Sequence, residues 1–143
     1  MGTPDTSKVL AVDPGEKRTG LAVSAGPIAV ALPTLQMKGD GRDAERVAKI
    51  ARDAEAGRII VGLPLNMDGT EGPRARAARD FGEFIRQATD LPVEFWDERL
   101  STAEGEARLR EAGLDRRDLS KRSDAAAAIV ILETYLEHRK SKP

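Results

Sequence analysis

Lys8-Val9-Leu10-Ala11-Val12-Asp13-Pro14-Gly15-Glu16-Lys17-Arg18-Thr19-Gly20 decides the fold, because it sets a nearly continuous apolar run against an acid and a glycine-punctuated turn. A strand that is apolar at successive positions is one covered on both faces, the pattern of a central strand in an α/β sheet. Working outward, Gly20 to Ser24 and Ile28 to Met37 read as two further strands, with Gly26-Pro27 as a tight turn between them. Connections this short make an antiparallel meander of the first three strands.

After Gly39-Asp40-Gly41 the period becomes helical. Ala44, Val47, Ala48, Ala51 and Ala54 recur on one face, with Asp40 as N-cap and Gly57 as the stop. Arg58 to Gly62 is a short β-branched strand, and Pro64 to Gly72 is a turn-rich loop. Pro73 opens a second helix whose apolar face is Ala77, Phe81, Phe84, Ile85 and Ala88. Pro92 to Trp96 returns to strand. Ser101 and Glu104 have capping-box spacing and predict a third helix that stops near Gly113. The charge-dense stretch from Leu114 to Lys121 is a loop, and Ser120 or Ser123 caps a final helix through Ala125, Ala128, Ile129, Leu132, Tyr135 and Leu136.

This order predicts an α/β fold with a five-stranded mixed sheet flanked by helices: the first three strands antiparallel, strands one, four and five parallel through right-handed crossovers. Residues 1–7 form a flexible leader, 8–139 a single domain and 140–143 a tail. If the three parallel strands lie side by side, their C-terminal ends share one edge, which is where ligands bind in open α/β sheets.

Three acids sit where elements begin or end. Asp13 closes the first strand, Glu98 follows the run Val93-Glu94-Phe95-Trp96 in the phrase Asp97-Glu98-Arg99-Leu100-Ser101-Thr102, and Asp124 opens the last helix. Each has an ordinary alternative: a turn former, one half of a surface ion pair, and a complement to a helix dipole. Asp97 is a rival to Glu98, since strand alternation lets only one of two neighbours face a given side. Asp124, however, shares a helical stripe with Ala128, Leu132 and Tyr135, so it lies on the face that meets the sheet. Like charges at ~4 Å repel by roughly 4 kcal/mol at an effective dielectric of about 20, so gathered acids need protons or cations. Hard divalent ions, Mg²⁺ or Mn²⁺, suit a donor set made only of carboxylates.

Composition narrows the chemistry. With 143 residues and no cysteine, disulfides, thiolate metal sites and cysteine nucleophiles are excluded. The single His138, near the end of the last helix, offers no plausible Ser-His-Asp set. Net charge of −1 argues against a protein that coats nucleic acid by bulk attraction, though not against a nuclease with local cations. Lys17, Arg18 and Arg99 are candidates for holding phosphates, and Asn66 and Thr70 on the loop after the fourth strand are candidates for touching a substrate strand. No run is long and apolar enough for a membrane span, so a cytoplasmic protein is expected, either a monomer or a weak homodimer.

Four phrases carry a resemblance: Val12-Asp13-Pro14-Gly15 through Arg18-Thr19-Gly20, Gly62-Leu63-Pro64-Leu65-Asn66-Met67-Asp68-Gly69, Asp97-Glu98-Arg99-Leu100-Ser101-Thr102, and Lys121-Arg122-Ser123-Asp124-Ala125-Ala126-Ala127. In this order they resemble the YqgF (RuvX) family of bacterial Holliday junction resolvases, also described as pre-16S rRNA nucleases, within the RNase H-like superfamily. The resemblance implies an RNase H-like fold and a metal-dependent nuclease whose acidic triad maps to Asp13, Glu98 and Asp124. It implies a nucleic-acid substrate, either precursor ribosomal RNA or branched DNA. Two competing classes are a phosphotransferase, which shares the superfamily core but normally needs two such domains, and a non-catalytic nucleic-acid-binding module.

Overall fold

The computed structural model describes residues 7–100 and 125–141. Most of the leader, the helix expected over 101–113, the charged loop at 114–121, the caps Ser120 and Ser123, and Asp124 lie outside those residues. The described elements are β1 (Val9–Asp13), β2 (Arg18–Ala25), β3 (Ile28–Ala31), β4 (Leu35–Gln36), α1 (Asp43–Asp53), β5 (Arg58–Leu63), α2 (Pro73–Ala88), β6 (Val93–Asp97) and α3 (Ala126–Ser141). Since α3 runs to Ser141, the expected tail begins inside a helix.

The sheet runs β3-β2-β1-β5-β6, with β4 also paired to β2. β1 is antiparallel to β2 and parallel to β5, and β5 is parallel to β6. The arrangement is the one expected, except that the third strand is two. Leu32 still donates to the Leu21 carbonyl at 3.0 Å, but Pro33 has no N–H to continue the ladder. The chain then returns as β4 to the start of β2, pairing Leu35 with Thr19 and Gln36 with Arg18, which also carries β2 two residues beyond its expected start. Between β2 and β3, Gly26 has φ +60, as the first central position of a type II′ hairpin turn requires.

Alternation along the central strands sorts side chains to two cores. Leu10, Val12, Ile59, Val61 and Val93 pack with Val47, Ala51 and Ile85 of α1 and α2. Val9, Ala11, Ile60 and Trp96 pack with Ala128, Ile131, Leu132 and Tyr135 of α3. Trp96 meets Tyr135 edge-on at 5.5 Å, and His138 meets the same indole at 5.5 Å. Every hydrophobic residue of β1 is fully buried. Fully burying such a side chain stabilises by about 1.5–3 kcal/mol, which makes this strand the anchor of both layers.

The helices depart from expectation in detail. Asp40 is not the cap of α1; its carboxylate accepts the Arg42 N–H at 3.0 Å and the Arg46 guanidinium, and the N-cap position is Arg42. α1 ends before Gly57, with Glu55 in the left-handed region at φ +58. Ala56 N–H donates to the Ala51 carbonyl and Glu55 N–H to that of Arg52, which is the Schellman arrangement. In α2, Pro73 stands in the first turn as expected, but the buried face is Ala75, Ala78, Gly82 and Ile85, while Phe84 is exposed and Ala77 faces solvent. Gly82 explains the offset: a Cβ there would lie 2.4 Å from the Phe95 ring, so the notch is where β6 enters the helix surface. Among the described residues no helix is long and apolar enough to cross a membrane.

Candidate active site

The three parallel strands end side by side. Asp13 closes β1, Leu63 closes β5 opposite Asp97 of β6, and the Glu98 N–H donates to the Leu63 carbonyl at 3.1 Å. Alternation now decides between the neighbouring acids. Asp13 shares its face with Val9 and Ala11, and Glu98 shares its face with Trp96, so both belong to the side covered by α3. Asp97 belongs to the opposite side.

Asp97 has a partner of its own. Its carboxylate accepts the Arg99 N–H at 2.9 Å and pairs with the Arg99 guanidinium at 2.7 Å. That bond with Arg99 holds the Asp97 pKa below its ordinary value, against the opposing effect of burial.

Glu98 instead meets Asp13 across β5. Adjacent strands are separated by about 4.8 Å, so a side chain on the intervening strand would fill the space between the two acids. That position is Gly62. A Cβ there would stand 2.6 Å from Glu98 Oε1 and 2.7 Å from Ile131 Cδ1, so the glycine is what lets the carboxylate cross and α3 approach.

The electrostatics are those of two acids that burial drives toward the neutral form. Both are half-buried. Glu98 is pushed up to about 8, chiefly by burial and then by the charge of Asp13 and a hydrogen bond shared with it. Asp13 is also raised, by burial, although the bond from Glu98 and the nearby Arg74 charge oppose the shift. Both directions favour a proton held between the two carboxyls in their shared hydrogen bond. The same site with a hard cation in place of that proton would leave both acids ionised.

Arg74, in the first turn of α2, is a cation whose field reaches both acids. It is exposed and, among the described residues, makes no ion pair or hydrogen bond of its own. Sequence reasoning passed over it. The available signal was positional, since a loop leaving β5 and returning as a helix puts the first turn of that helix over the strand ends. Gly62 was also legible, as a lone glycine inside the run Ile59-Ile60-Val61-Gly62-Leu63, where it signals close approach by another group.

The remaining candidates surround the edge without converging on it. Lys17 and Arg18 are exposed where the chain turns from β1 to β2, and the turn is tight enough that a Cβ on Gly15 would fall 2.0 Å from the Arg18 carbonyl oxygen. Asn66 and Thr70 bond each other: Asn66 Nδ2 donates to Thr70 Oγ1 at 3.0 Å, and Thr70 Oγ1 donates to Asp68 at 2.6 Å. Arg99, besides holding Asp97, donates from Nη1 to the Met67 carbonyl at 3.2 Å and thus straps the loop to the end of β6. Among the described residues no group of three His, Cys, Asp or Glu comes together, and the third expected acid, Asp124, is outside them.

Comparison with known proteins agrees with this architecture. A family model described as "RuvX: Holliday junction resolvase" matches residues 7–138. A protein of Anaeromyxobacter dehalogenans (strain 2CP-C), named "Putative pre-16S rRNA nuclease", is 48% identical over 134 residues, covering 92% of this chain and 98% of its own. One of Thermoanaerobacter pseudethanolicus with the same name is 38% identical over 138 residues, covering 94% and 99%. Among solved structures, T. thermophilus RuvC in complex with Holliday junction substrate superposes with a TM-score of 0.67 at 17% identity, covering 95% of this chain and 97% of that one. At that identity the likeness concerns the fold.

Proposed function

This chain belongs to the RuvX family, and from that membership we propose a divalent-metal-dependent nuclease that cuts phosphodiester bonds in pre-16S rRNA, with the Asp13–Glu98 edge as its active site. The observation that carries the reading is the meeting of these two acids over Gly62, half-buried and raised in pKa on the ligand-binding edge of the sheet. Arg74 is one cation whose field reaches both acids.

Asp13 and Glu98 fit Mg²⁺ or Mn²⁺, because their donors are all oxygen and their shared proton marks a place where positive charge is wanted. Asp124 is the third acid of the proposal: it precedes, in sequence, the helix that covers this same face of the sheet. When bound, such an ion supplies Lewis acidity to the attacking water and to the leaving oxygen. The chain's own residues do the rest. Glu98 and Asp13 ionise together, Arg74 offsets the charge they gather, and Lys17 and Arg18 stand beside the β1 turn to receive phosphates. Asn66 and Thr70 shape the adjoining loop, and Arg99 fixes that loop beside Glu98.

The alternative substrate is branched DNA, favoured by the description of the matching family model. One experiment tests both. Wild type and Asp13→Asn are compared on a pre-16S rRNA fragment and a four-way DNA junction, each with Mg²⁺ or Mn²⁺. Wild type is expected to cut the RNA selectively, and the variant to lose at least about 10³-fold, the equivalent of roughly 4 kcal/mol of transition-state stabilisation. Full activity in Asp13→Asn would remove the reading; selective cutting of the junction would change the substrate.

A further inference from the structure

Met67 is 90% exposed, the most exposed of the large hydrophobic side chains among the described residues. An exposed methionine on a mobile loop would be unremarkable, but this one stands on a loop closed by its own bonds. Asn66 N–H donates to the Thr70 carbonyl at 2.9 Å and Gly69 N–H to that of Asn66 at 2.8 Å. Thr70 N–H donates to Asp68 at 3.0 Å, and the Asn66–Thr70 side-chain bond closes the same turn. Gly69 takes φ +89, a conformation that keeps the tip sharp and that other residues rarely adopt. The backbone of Met67 itself is tied down, since its carbonyl accepts Arg99 Nη1 at 3.2 Å.

Two features follow from that tie. The methionine side chain is held outward while its main chain is fixed, so its display costs little further ordering when something covers it. The tie also runs to the residue next to Glu98, so the exposed thioether is one arginine side chain from the proposed active site. The polar groups of the turn are spent on one another; what the loop offers outward at its tip is an unbranched, polarizable apolar chain.

Resting on the nuclease reading above, we infer that Met67 is a wedge that packs against an unpaired or unstacked nucleobase beside the scissile phosphate, making the enzyme prefer sites where the helix is interrupted. Methionine is among the side chains that insert between base steps, and every base offers a face to it whatever its identity. The sugar does not enter the contact, so the recognised chemistry is the same in RNA and in DNA. Phosphates are left to the cations of the edge; Met67 selects by the state of the base.

The test uses the full-length protein on four oligonucleotides of one sequence, RNA and DNA, each either fully paired or with a single unpaired nucleotide at the cleavage site. Wild type, Met67→Ala and Met67→Leu are compared with Mg²⁺ or Mn²⁺, alongside fluorescence of a 2-aminopurine placed at the unpaired position. Met67→Ala is expected to weaken binding to the interrupted substrate about tenfold, seen mainly in KM, with a much smaller change on the paired one. It should lose the fluorescence change on binding, and Met67→Leu should retain both. Tm should be unchanged in both variants, because the side chain packs against so little. Equal cutting of interrupted and paired substrates by Met67→Ala and wild type would overturn the wedge while leaving the nuclease reading in place. No cutting of any substrate by wild type would overturn the nuclease reading, and the wedge with it.

Discussion

Two pairs of acids lie on this molecule, and they have opposite surroundings. Where β4 leads into α1, Asp40 and Asp43 are three residues apart and share Arg46, whose guanidinium reaches Asp40 at 2.7 Å and Asp43 at 2.8 Å. Asp43 also accepts the Lys38 and Gly39 N–H groups at 3.0 to 3.2 Å. Burial alone would raise Asp43, yet these donors overcome it, and both acids titrate below 3.8. At the strand ends, Asp13 and Glu98 share a hydrogen bond and are both raised, chiefly by burial. The first pair is a finished structural element that pins a corner. The second is shifted the other way by burial, and acids raised in pKa at the ligand-binding edge of a sheet are candidates for a functional site.

The sharpest way to break this contrast is to spoil the gap that lets the second pair form. Gly62→Ala drives a Cβ into Glu98 Oε1 and Ile131 Cδ1. Both are ends of flexible side chains, so the stability cost should fall near the low end of the roughly 1–3 kcal/mol typical of overpacking. Nuclease activity should fall about 10²-fold, the penalty expected when a reacting group is misplaced by about 1 Å. Denaturant unfolding beside a cleavage assay separates the two effects. Retention of full activity would mean that Glu98 need not cross to Asp13. Gly82→Ala serves as the control, since it crowds the Phe95 ring instead and should cost stability without reaching the acids.

A smaller effect appears without any change in backbone space. Glu98 is raised in the folded chain, so its favourable contribution is fully present below 4.5, its ordinary value, and is lost as pH rises through about 8. Asp13 shifts in the same direction. Metal-free protein should therefore lose Tm between pH 4.5 and 8, and Mg²⁺ or Mn²⁺ should restore it most at the upper end. Glu98→Gln keeps a donor for Asp13 without the ionisable proton, so its Tm should be flatter across that window and gain little from metal. A wild-type Tm that is level from pH 4.5 to 8 would mean that the two acids are not raised in the folded chain.

How much of this was legible beforehand follows from the range of the forces involved. β1 and β5 were visible because a doubly covered strand leaves a local, continuous apolar signature, and the acids were visible because they sit where such runs stop. The split of the third strand was also written locally, in Pro33, but hydrophobicity on both sides of it masked the break. The face of α2 was not local. Phe81 and Phe84 dominate its apolar phase, while the sheet chose Ala75, Ala78 and Gly82 because small residues let the layers approach and leave room for Phe95. Asp97 and Glu98 could not be separated without register, which is a property of the pairing between β5 and β6. Asp40 had the composition of a cap, and its use as one was lost to Arg46, six residues on.

The corner pair provides the weakest perturbation and the opposite sign. Asp40 and Asp43 are depressed in the folded chain, so their contribution is present above 3.8 and is lost as pH falls through their lowered values. Removing the shared cation in Arg46→Ala leaves Asp43 with its two backbone donors and Asp40 with the Arg42 N–H, so the corner should loosen without unfolding. The expected result is a small drop in Tm above pH 4, shrinking as salt screens the pair and vanishing as acid protonates both groups. Cleavage should be unaffected, because neither Asp40 nor Asp43 acts on the charge of Asp13 or Glu98. In one set of thermal melts, then, wild type should lose stability toward alkaline pH through one pair and toward acid through the other. Arg46→Ala should flatten only the acid limb, and Glu98→Gln only the alkaline one. A variant that moved both limbs would show the two pairs to be coupled, and the contrast between a depressed pair and a raised one would fail.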